Sequence, residues 1–384
     1  MPEDVIYMDH HATTPCARTV VEAMLPWFSE RCGNAASRTH AYGWEAERAV
    51  DASRRSVRDA VGGDEVVFTS GATEAINLAL FGLFEAERDR GGKRNRLVIQ
   101  ATEHKAVLDV ARALERRGVE VVQLPVDAHG RVEVDAVDAA LAGAWCVSVM
   151  AANNEIGTVQ PVAEIGAKCR EAGVPFHVDA AQAVGRLPVD VGAWSADLLS
   201  MSAHKVYGPK GVGALVLRRG GLRPKARMLG GGHESGLRSG TLNVPGIVGL
   251  GCALELAKSM LESEAERLTA LRTRLWSGLQ SSIRNVVLNG HPTERLPGNL
   301  SVSFRGVEGE ALLLSLQDVV ALSSGSACTS ATVEPSHVLR ALGHSTDLAL
   351  ATLRFGLGRG NTEAHVDRTL QAVVEQVGRL RARG

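Results

Sequence analysis

The sequence predicts an α/β protein: a large domain on a mainly parallel sheet flanked by helices, followed by a smaller C-terminal α/β domain. Three observations carry this. Short apolar runs alternate with stretches of helical period between residues 66 and 201, the pattern of a sheet built from crossover units. One later run follows its predecessor too closely for a crossover. Beyond Ile283 the elements shorten and mix strands with helices. At 384 residues the chain is long enough to bury a large core and to form two domains.

In chain order, Val5–Met8 reads as a short strand that leads into the loop Asp9-His10-His11-Ala12-Thr13-Thr14-Pro15. The paired histidines raise a metal site, but no partner stands at ligand spacing, and a loop is the expectation. Gly33-Asn34-Ala35-Ala36-Ser37 is a second loop, and Trp44–Val61 has the apolar spacing of a helix. Val66–Thr69 is a strand, Ser70-Gly71-Ala72-Thr73-Glu74 a tight turn, and Ala75–Phe84 a helix with an apolar face. Small residues at such a turn let backbone N–H groups and a hydroxyl approach an anion, which the helix dipole also favours. A well-capped helix with nothing bound fits the same residues.

Strands at Arg96–Ala101, Val119–Leu124, Ala144–Ala151, Val174–Val178 and Ala196–Met201 alternate with helices near His104–Arg117, Val134–Ala142 and Val162–Ala172. Val212–Leu217 follows Met201 after only the ten residues 202–211, too few for a helical crossover, so it is expected antiparallel to its neighbour. The glycine-rich stretches Gly230–Glu234 and Arg238–Thr241 form a loop, and two long helices are expected from Val244 to Ile283. The second domain has strands at Val286–Leu288, Leu300–Phe304, Val319–Leu322 and Thr352–Leu357, with helices at Gly309–Leu316 and Pro335–Leu342. In the final helix Val366, Leu370, Val373, Val374, Val377 and Leu380 share one face, which should pack on that sheet.

A net charge of −1 and 45% hydrophobic residues carry neither a nucleic-acid footprint nor a disordered acidic tail. No run of about 18 apolar residues suggests a membrane span, and Met1-Pro2-Glu3-Asp4 lacks the opening of a signal peptide. A cytoplasmic protein is expected. The six cysteines show neither CxxC pairs nor metal-ligand spacing. Five read as structural; Cys146 and Cys252 lie in apolar runs and Cys169 on a helix, where cysteine behaves as a small hydrophobe. Cys328 differs, because Ser323–Ala331 is a run of small polar residues that cannot bury it. An exposed thiol can ionise and act as a nucleophile, or be incidental.

The chemistry concentrates where two predicted strands end. Ala196–Met201 stops abruptly at Ser202-Ala203-His204-Lys205, and Val174–Val178 stops at Asp179-Ala180-Ala181-Gln182. Ligands of open α/β sheets bind beyond the carboxyl ends of strands, so Asp179 and Lys205 can face one ligand. A lysine that forms a Schiff base, with an acid against a pyridine nitrogen, is how proteins hold pyridoxal phosphate. Either residue alone is better explained as a cap of a loop or a helix; together they point to the cofactor.

Taken in order, Thr102-Glu103-His104-Lys105, Asn153-Asn154-Glu155-Ile156-Gly157, Asp179 with Gln182, Ser202–Lys205, Arg238-Ser239-Gly240-Thr241 and Ser323–Ser330 resemble the cysteine desulfurases of the IscS/NifS type. These are fold-type-I pyridoxal phosphate enzymes of the class-V aminotransferase family, and the resemblance runs from Tyr7 to about Arg381. It implies two domains, 16–257 binding the cofactor and 258–384 carrying the cysteine loop, with residues 1–15 joining the smaller one.

The resemblance makes Lys205 the Schiff-base lysine, Asp179 the partner of the ring nitrogen and Gln182 that of the ring hydroxyl. It implies that His104 stacks on the ring and moves protons, and that Ala72, Thr73, Ser202 and His204 hold the phosphate, with Ala203 in the same cofactor-binding stretch. Thr241 would reach the phosphate of a neighbouring subunit, hence a homodimer. Asn154 would contact cofactor and substrate, Arg354 the substrate carboxylate, and Cys328 would take sulfur from L-cysteine as a persulfide, leaving alanine. Implied partners are a sulfur acceptor or iron–sulfur scaffold protein for cluster assembly or transfer-RNA thiolation. No direct nucleic-acid contact and no resident metal are implied, although Cys328 would share a cluster transiently with a scaffold.

Ala35 stands where the family often has proline. The chain ends at Gly384, short of the tail by which housekeeping members dock the scaffold, so the resemblance leaves the acceptor open. An aminotransferase, a selenocysteine lyase and a catalytically silent platform are the competing readings.

Overall fold

The computed structural model describes residues 5–324 and 334–382. The chain opens with β1 (Ile6–Tyr7), then α1 (Arg18–Met24), α2 (Pro26–Ser29) and α3 (Ala41–Val61). His40 caps α3 by accepting from Gly43 N. The alternating region follows: β2 (Glu65–Thr69), α4 (Ala72–Asp89), β3 (Arg96–Gln100), α5 (Lys105–Glu115), β4 (Glu120–Leu124), α6 (Val134–Leu141), β5 (Ala144–Met150), α7 (Val162–Glu171), β6 (Phe176–Asp179), β7 (Leu198–Ser202) and β8 (Gly213–Leu217).

These strands form one seven-stranded sheet in the order β2-β8-β7-β6-β5-β3-β4. The pairs from β7 to β4 are parallel, and β8 runs antiparallel to both β7 and β2. The short 202–211 link thus does what its length requires. Every residue of β5 is buried, as expected for a strand covered on both faces. Val147 and Val149 face a core with Val50, Val57 and Ile247, while Cys146 faces the opposite core with Leu78, Val107 and Leu114. Each such aliphatic side chain contributes about 1.5–3 kcal/mol by leaving water.

The expected pair of helices between Val244 and Ile283 is instead one, α8 (Val244–Ser282), 39 residues long. Its middle, Lys258-Ser259-Met260-Leu261-Glu262-Ser263-Glu264, has the polarity of a link but consists largely of residues that favour helix, with no proline or glycine to break it. The first half packs on α1 and α3, and the second half sends Leu268, Leu271, Leu275 and Leu279 into a separate core. Among the described residues α8 is the one helix long and apolar enough by composition to cross a membrane, and half of its most apolar window is buried inside the protein.

After α8 come β9 (Val286–Asn289), β10 (Asn299–Phe304), α9 (Gly309–Leu316), β11 (Val320–Ala321), β12 (Ser323–Ser324), α10 (His337–Ala341), α11 (Thr346–Leu350), β13 (Thr352–Gly356) and α12 (Glu363–Arg381). An antiparallel sheet, β12-β13-β10-β9, shares its core with α8, α9 and α12. Val366, Val373 and Val377 of α12 enter that core as their spacing predicts.

The N-terminal strand ties the two halves together. β1 pairs with β11, Gly356 N donates to Met8 O, and His10 N donates to Gly356 O. Four residues on, Thr14 N donates to His204 O, beside Lys205. Residues 8–14 therefore run from the small sheet to the end of β7.

Candidate active site

A cavity of about 470 Å³ opens at the carboxyl ends of β5, β6 and β7. The sheet register sets Met150, Asp179 and Ser200 side by side, so the turns that follow these strands meet over one edge. The first turn of α4 closes the far end with Ala72 and Thr73. Gly71 and Gly213 bring the strands close here: a Cβ on Gly213 would stand 2.4 Å from Met201 O and 2.7 Å from Gly71 Cα, which only glycine escapes. A Cβ on Gly71 would lie 3.6 Å from Ser202 Oγ, which places that hydroxyl at the mouth of the α4 turn.

Lys205 sits in a 3-10 turn, Ala203–Lys205, and its Nζ donates to His11 O at 2.7 Å and Ala12 O at 2.6 Å. Among the described residues no carboxylate pairs with it. Burial, then the positive charges of Arg186 and Arg354, pull its pKa down to about 7, against the opposing influence of Asp9 and Asp179. The turn is also strained, and hydrogen bonds hold it in place. Tyr207 has φ 62, a left-handed backbone that bulky residues avoid, fixed by a bond from its N–H to Thr14 Oγ1 at 2.8 Å and one from Arg359 N to its hydroxyl at 2.7 Å.

Asp179 is buried and its Oδ1 accepts from Ala181 N at 3.0 Å. Burial raises its pKa, while the Ala181 bond, His104 and Lys205 pull the other way. His104 caps α5, its Nδ1 accepting from Ala106 N at 3.1 Å. Burial keeps the ring neutral, so the proton resides on Nε2, the nitrogen left for the cavity. Gln182 is oriented from both ends, its Nε2 donating to His11 O at 2.9 Å and its Oε1 facing His11 Nδ1 at 3.0 Å.

Ala72, Thr73, His104, Asn154, Asp179, Gln182, Ser202, His204 and Lys205 all line the cavity. Ala203 does not; it is fully buried beneath the turn, donating to Val212 O. Thr241 is exposed and lies outside the cavity. Arg354, on β13, stands behind Asn154: Nη1 donates to Asn154 O at 3.0 Å and Nη2 pairs with Asp9 at 2.7 Å. Cys328 lies outside the described residues, but the chain on either side is placed. Ser323 pairs with Arg354 across β12 and β13, and His337 Nε2 meets Glu103 O at 2.9 Å.

The sequence reading assigned no role to Asp9, His11 or Arg186, which position Arg354, Gln182 and the Lys205 turn. Asp9 lies in the quoted 9–15 stretch, the one signal that pointed to it. The paired histidines serve the fold: His10 Nδ1 bonds Gly356 O and His11 Nδ1 meets Gln182 Oε1, and among the described residues no group of metal-ligating side chains assembles.

This amine, acid and anion cradle within one cavity accord with the comparison to known proteins, where the aminotransferase class-V family profile matches residues 6–369. The chain belongs to the class-V aminotransferase family. It is similar to the cysteine desulfurase IscS of Anaeromyxobacter sp. strain Fw109-5, 55% identical over 98% of this chain and 93% of the relative. A NifS-like protein of known structure superposes with a TM-score of 0.91 at 35% identity, covering 98% of this chain and all 100% of that one. The structure of SspA in complex with cysteine gives a TM-score of 0.82 at 36% identity over 92% and 99% of the two chains. The fold is that of the fold-type-I pyridoxal phosphate enzymes.

Class-V aminotransferases depend on pyridoxal 5′-phosphate, and the cavity fits that group. Lys205 offers an amine without a carboxylate partner, and Asp179 offers a buried acid. The α4 turn offers N–H groups and a dipole to a phosphate, with Ser202 and His204 beside it.

Proposed function

We propose that the chain is a cysteine desulfurase: it removes sulfur from L-cysteine, leaving L-alanine, and passes it as a persulfide on Cys328 to acceptor proteins, for iron–sulfur cluster assembly or transfer-RNA thiolation. The observation that carries this reading is the meeting of Lys205, Asp179, His104 and the α4 turn in one cavity, in a chain 55% identical to a named cysteine desulfurase.

In this reading Lys205 would hold the cofactor aldehyde, Asp179 the ring nitrogen, Gln182 the ring hydroxyl, and Ala72, Thr73, Ser202 and His204 the phosphate. Asn154 would contact both cofactor and substrate. Bound pyridoxal phosphate supplies an electron sink that stabilises negative charge at an amino-acid α-carbon. The protein supplies the rest. Arg354 binds the substrate carboxylate through its planar guanidinium. Lys205, whose pKa falls to about 7, is a free amine able to take and return the α-proton near neutral pH. His104 moves a proton at Nε2. Cys328 thiolate attacks the substrate sulfur; an S–S bond forms, the Cβ–S bond breaks, and its electron pair remains on the carbon that is protonated to alanine's methyl.

The large domain is taken as 16–257, with 258–384 and residues 1–15 forming the small one; this boundary falls within α8. A homodimer is part of the reading, with Thr241 serving the neighbour's phosphate. Phe28, Tyr42, Trp44 and Leu229 are each exposed, and such a partner would cover apolar residues of this kind. A cytoplasmic location suits a thiol that must stay reduced between turnovers.

The test is Cys328→Ser. An alcohol is a far weaker nucleophile toward sulfur than a thiol of pKa roughly 8.5. The variant should bind cofactor and still change spectrum with L-cysteine, yet release no alanine, and alkylation with mass spectrometry should find persulfide on Cys328 of the wild type alone. Normal alanine release by Cys328→Ser, with persulfide on another cysteine, would sink the assignment.

A further inference from the structure

Arg186 lies just beyond the Asp179–Gln182 turn, where no motif marks it. Its Nη1 donates to Gln182 Oε1 at 2.9 Å and Gln182 O at 3.2 Å, and its Nη2 donates to His10 O at 2.8 Å. Each acceptor is neutral, and among the described residues no carboxylate pairs with this guanidinium. The carboxylate whose charge reaches it, Glu264, is itself held by Arg359 Nε at 3.1 and 2.9 Å. A cavity of about 20 Å³, lined by Arg186, Lys205, Tyr207 and Glu264, separates these groups and has room for about one water.

A buried cation without an anion is costly, and proteins retain one where the charge is used. The acceptors say what it is used for. Gln182 Oε1 bonds Arg186 and His11, and this forces the amide nitrogen toward His11 O, which also accepts from Lys205 Nζ. One arginine thereby sets the amide orientation, holds the 10–12 segment at His10 O and places a positive charge beside Lys205.

We propose that Arg186 is a positioning residue of the site: its guanidinium, bonded only to neutral acceptors, locks Gln182 and the 10–12 segment against Lys205 and sets a fixed positive charge beside that lysine's amine. The charged and titratable groups around Lys205 are Arg186 and Arg354 on the positive side and Asp9 and Asp179 on the negative, with His104, His204 and Lys210 nearby. Tyr207, Glu264, Arg354 and Arg359 face Arg186 itself. Arg186 is the strongest charge acting on the lysine, second only to burial in lowering its pKa.

The inference rests on Lys205 as the cofactor-bearing lysine, and its test reads the amine directly. The cofactor-free full chain is labelled with trace acetic anhydride across pH, and Lys205 acetylation is quantified by peptide mass spectrometry against an internal amine standard. The wild-type midpoint should lie near 7. In Arg186→Gln it should move about one unit alkaline, the effect of losing a nearby like charge, so that labelling at neutral pH slows several-fold. Arg186→Lys keeps the charge and should restore the midpoint, which a purely structural role would not achieve.

A midpoint unmoved in Arg186→Gln, or moved equally in Arg186→Lys, overturns the proposal. So does a wild-type midpoint like that of an ordinary lysine, a result that needs no variant to fold. A Lys205 that titrates with Arg186 but carries no cofactor after borohydride reduction supports the inference while felling the functional reading.

Discussion

Two basic side chains belong to the candidate site, and the protein treats them in opposite ways. Lys205, at the end of the large parallel sheet, is bonded to two carbonyls and to no acid among the described residues, and its pKa falls to about 7. Arg354, on the small antiparallel sheet, is ion-paired with Asp9 at 2.7 Å. The lysine is made easy to discharge; the arginine is secured as a cation. The first suits an amine that must form and break covalent bonds, the second a fixed partner for a substrate carboxylate. In the proposed function the two sheets would divide the work, with bond-making on one and substrate capture on the other, and the 8–14 segment touches both.

The largest expected effect breaks the lysine side. Lys205→Ala removes the amine that the cavity surrounds, so turnover measured as alanine release should fall by at least about 10³-fold, within the range of a lost acid–base group. Borohydride should no longer fix cofactor to the chain. A variant retaining wild-type turnover would place the chemistry elsewhere. Cofactor uptake by the wild-type apoprotein should quicken as pH rises through about 7, because the free amine is the reactive form.

A smaller effect is expected from the arginine side. Arg354→Lys keeps a charge but loses the planar fork, and a charge-assisted hydrogen bond contributes about 1.5–3 kcal/mol. KM for L-cysteine should rise about 10- to 100-fold with kcat changed far less. Equal losses in kcat and kcat/KM would instead make Arg354 part of the chemical step and erase the contrast with Lys205.

The asymmetry also decides what sequence alone reveals. The placement of Asp179 and Lys205 was legible because an apolar strand ends at the first and three residues before the second, and local pattern reports strand ends well. The alternation of β2 to β8 was legible for the same reason, as was the antiparallel β8. Asp9 and Arg186 were not, since their roles exist only in the fold: Asp9 meets Arg354 across 345 residues and Arg186 meets His10 across 176. The single helix α8 was missed because its polar middle, read locally, resembles a link, whereas in the structure it joins two cores.

The smallest effect is expected beneath Asp179. Glu103 is fully buried, and burial reinforced by the charge of Asp179 drives its pKa well above the usual carboxylate range, against the opposing pull of backbone hydrogen bonds from Met150 and His104. A carboxylate so enclosed holds its proton, since an unpaired buried charge costs far more than a neutral acid. In the proposed function Asp179, and not Glu103, would then be the acid that partners a ring nitrogen. The sign for stability follows: with the folded pKa raised, the native state binds more protons than the unfolded one above about pH 4.5, so Glu103 loses stability for the protein as pH rises toward its folded value. Glu103→Gln is a permanent mimic of the neutral acid. It should leave kcat/KM within about threefold, a change of less than 1 kcal/mol, and should flatten the fall in urea midpoint between pH 6 and pH 8. A large loss of activity in Glu103→Gln would show that the ionised form is used, and would place a second acid beside Asp179 on the bond-making side.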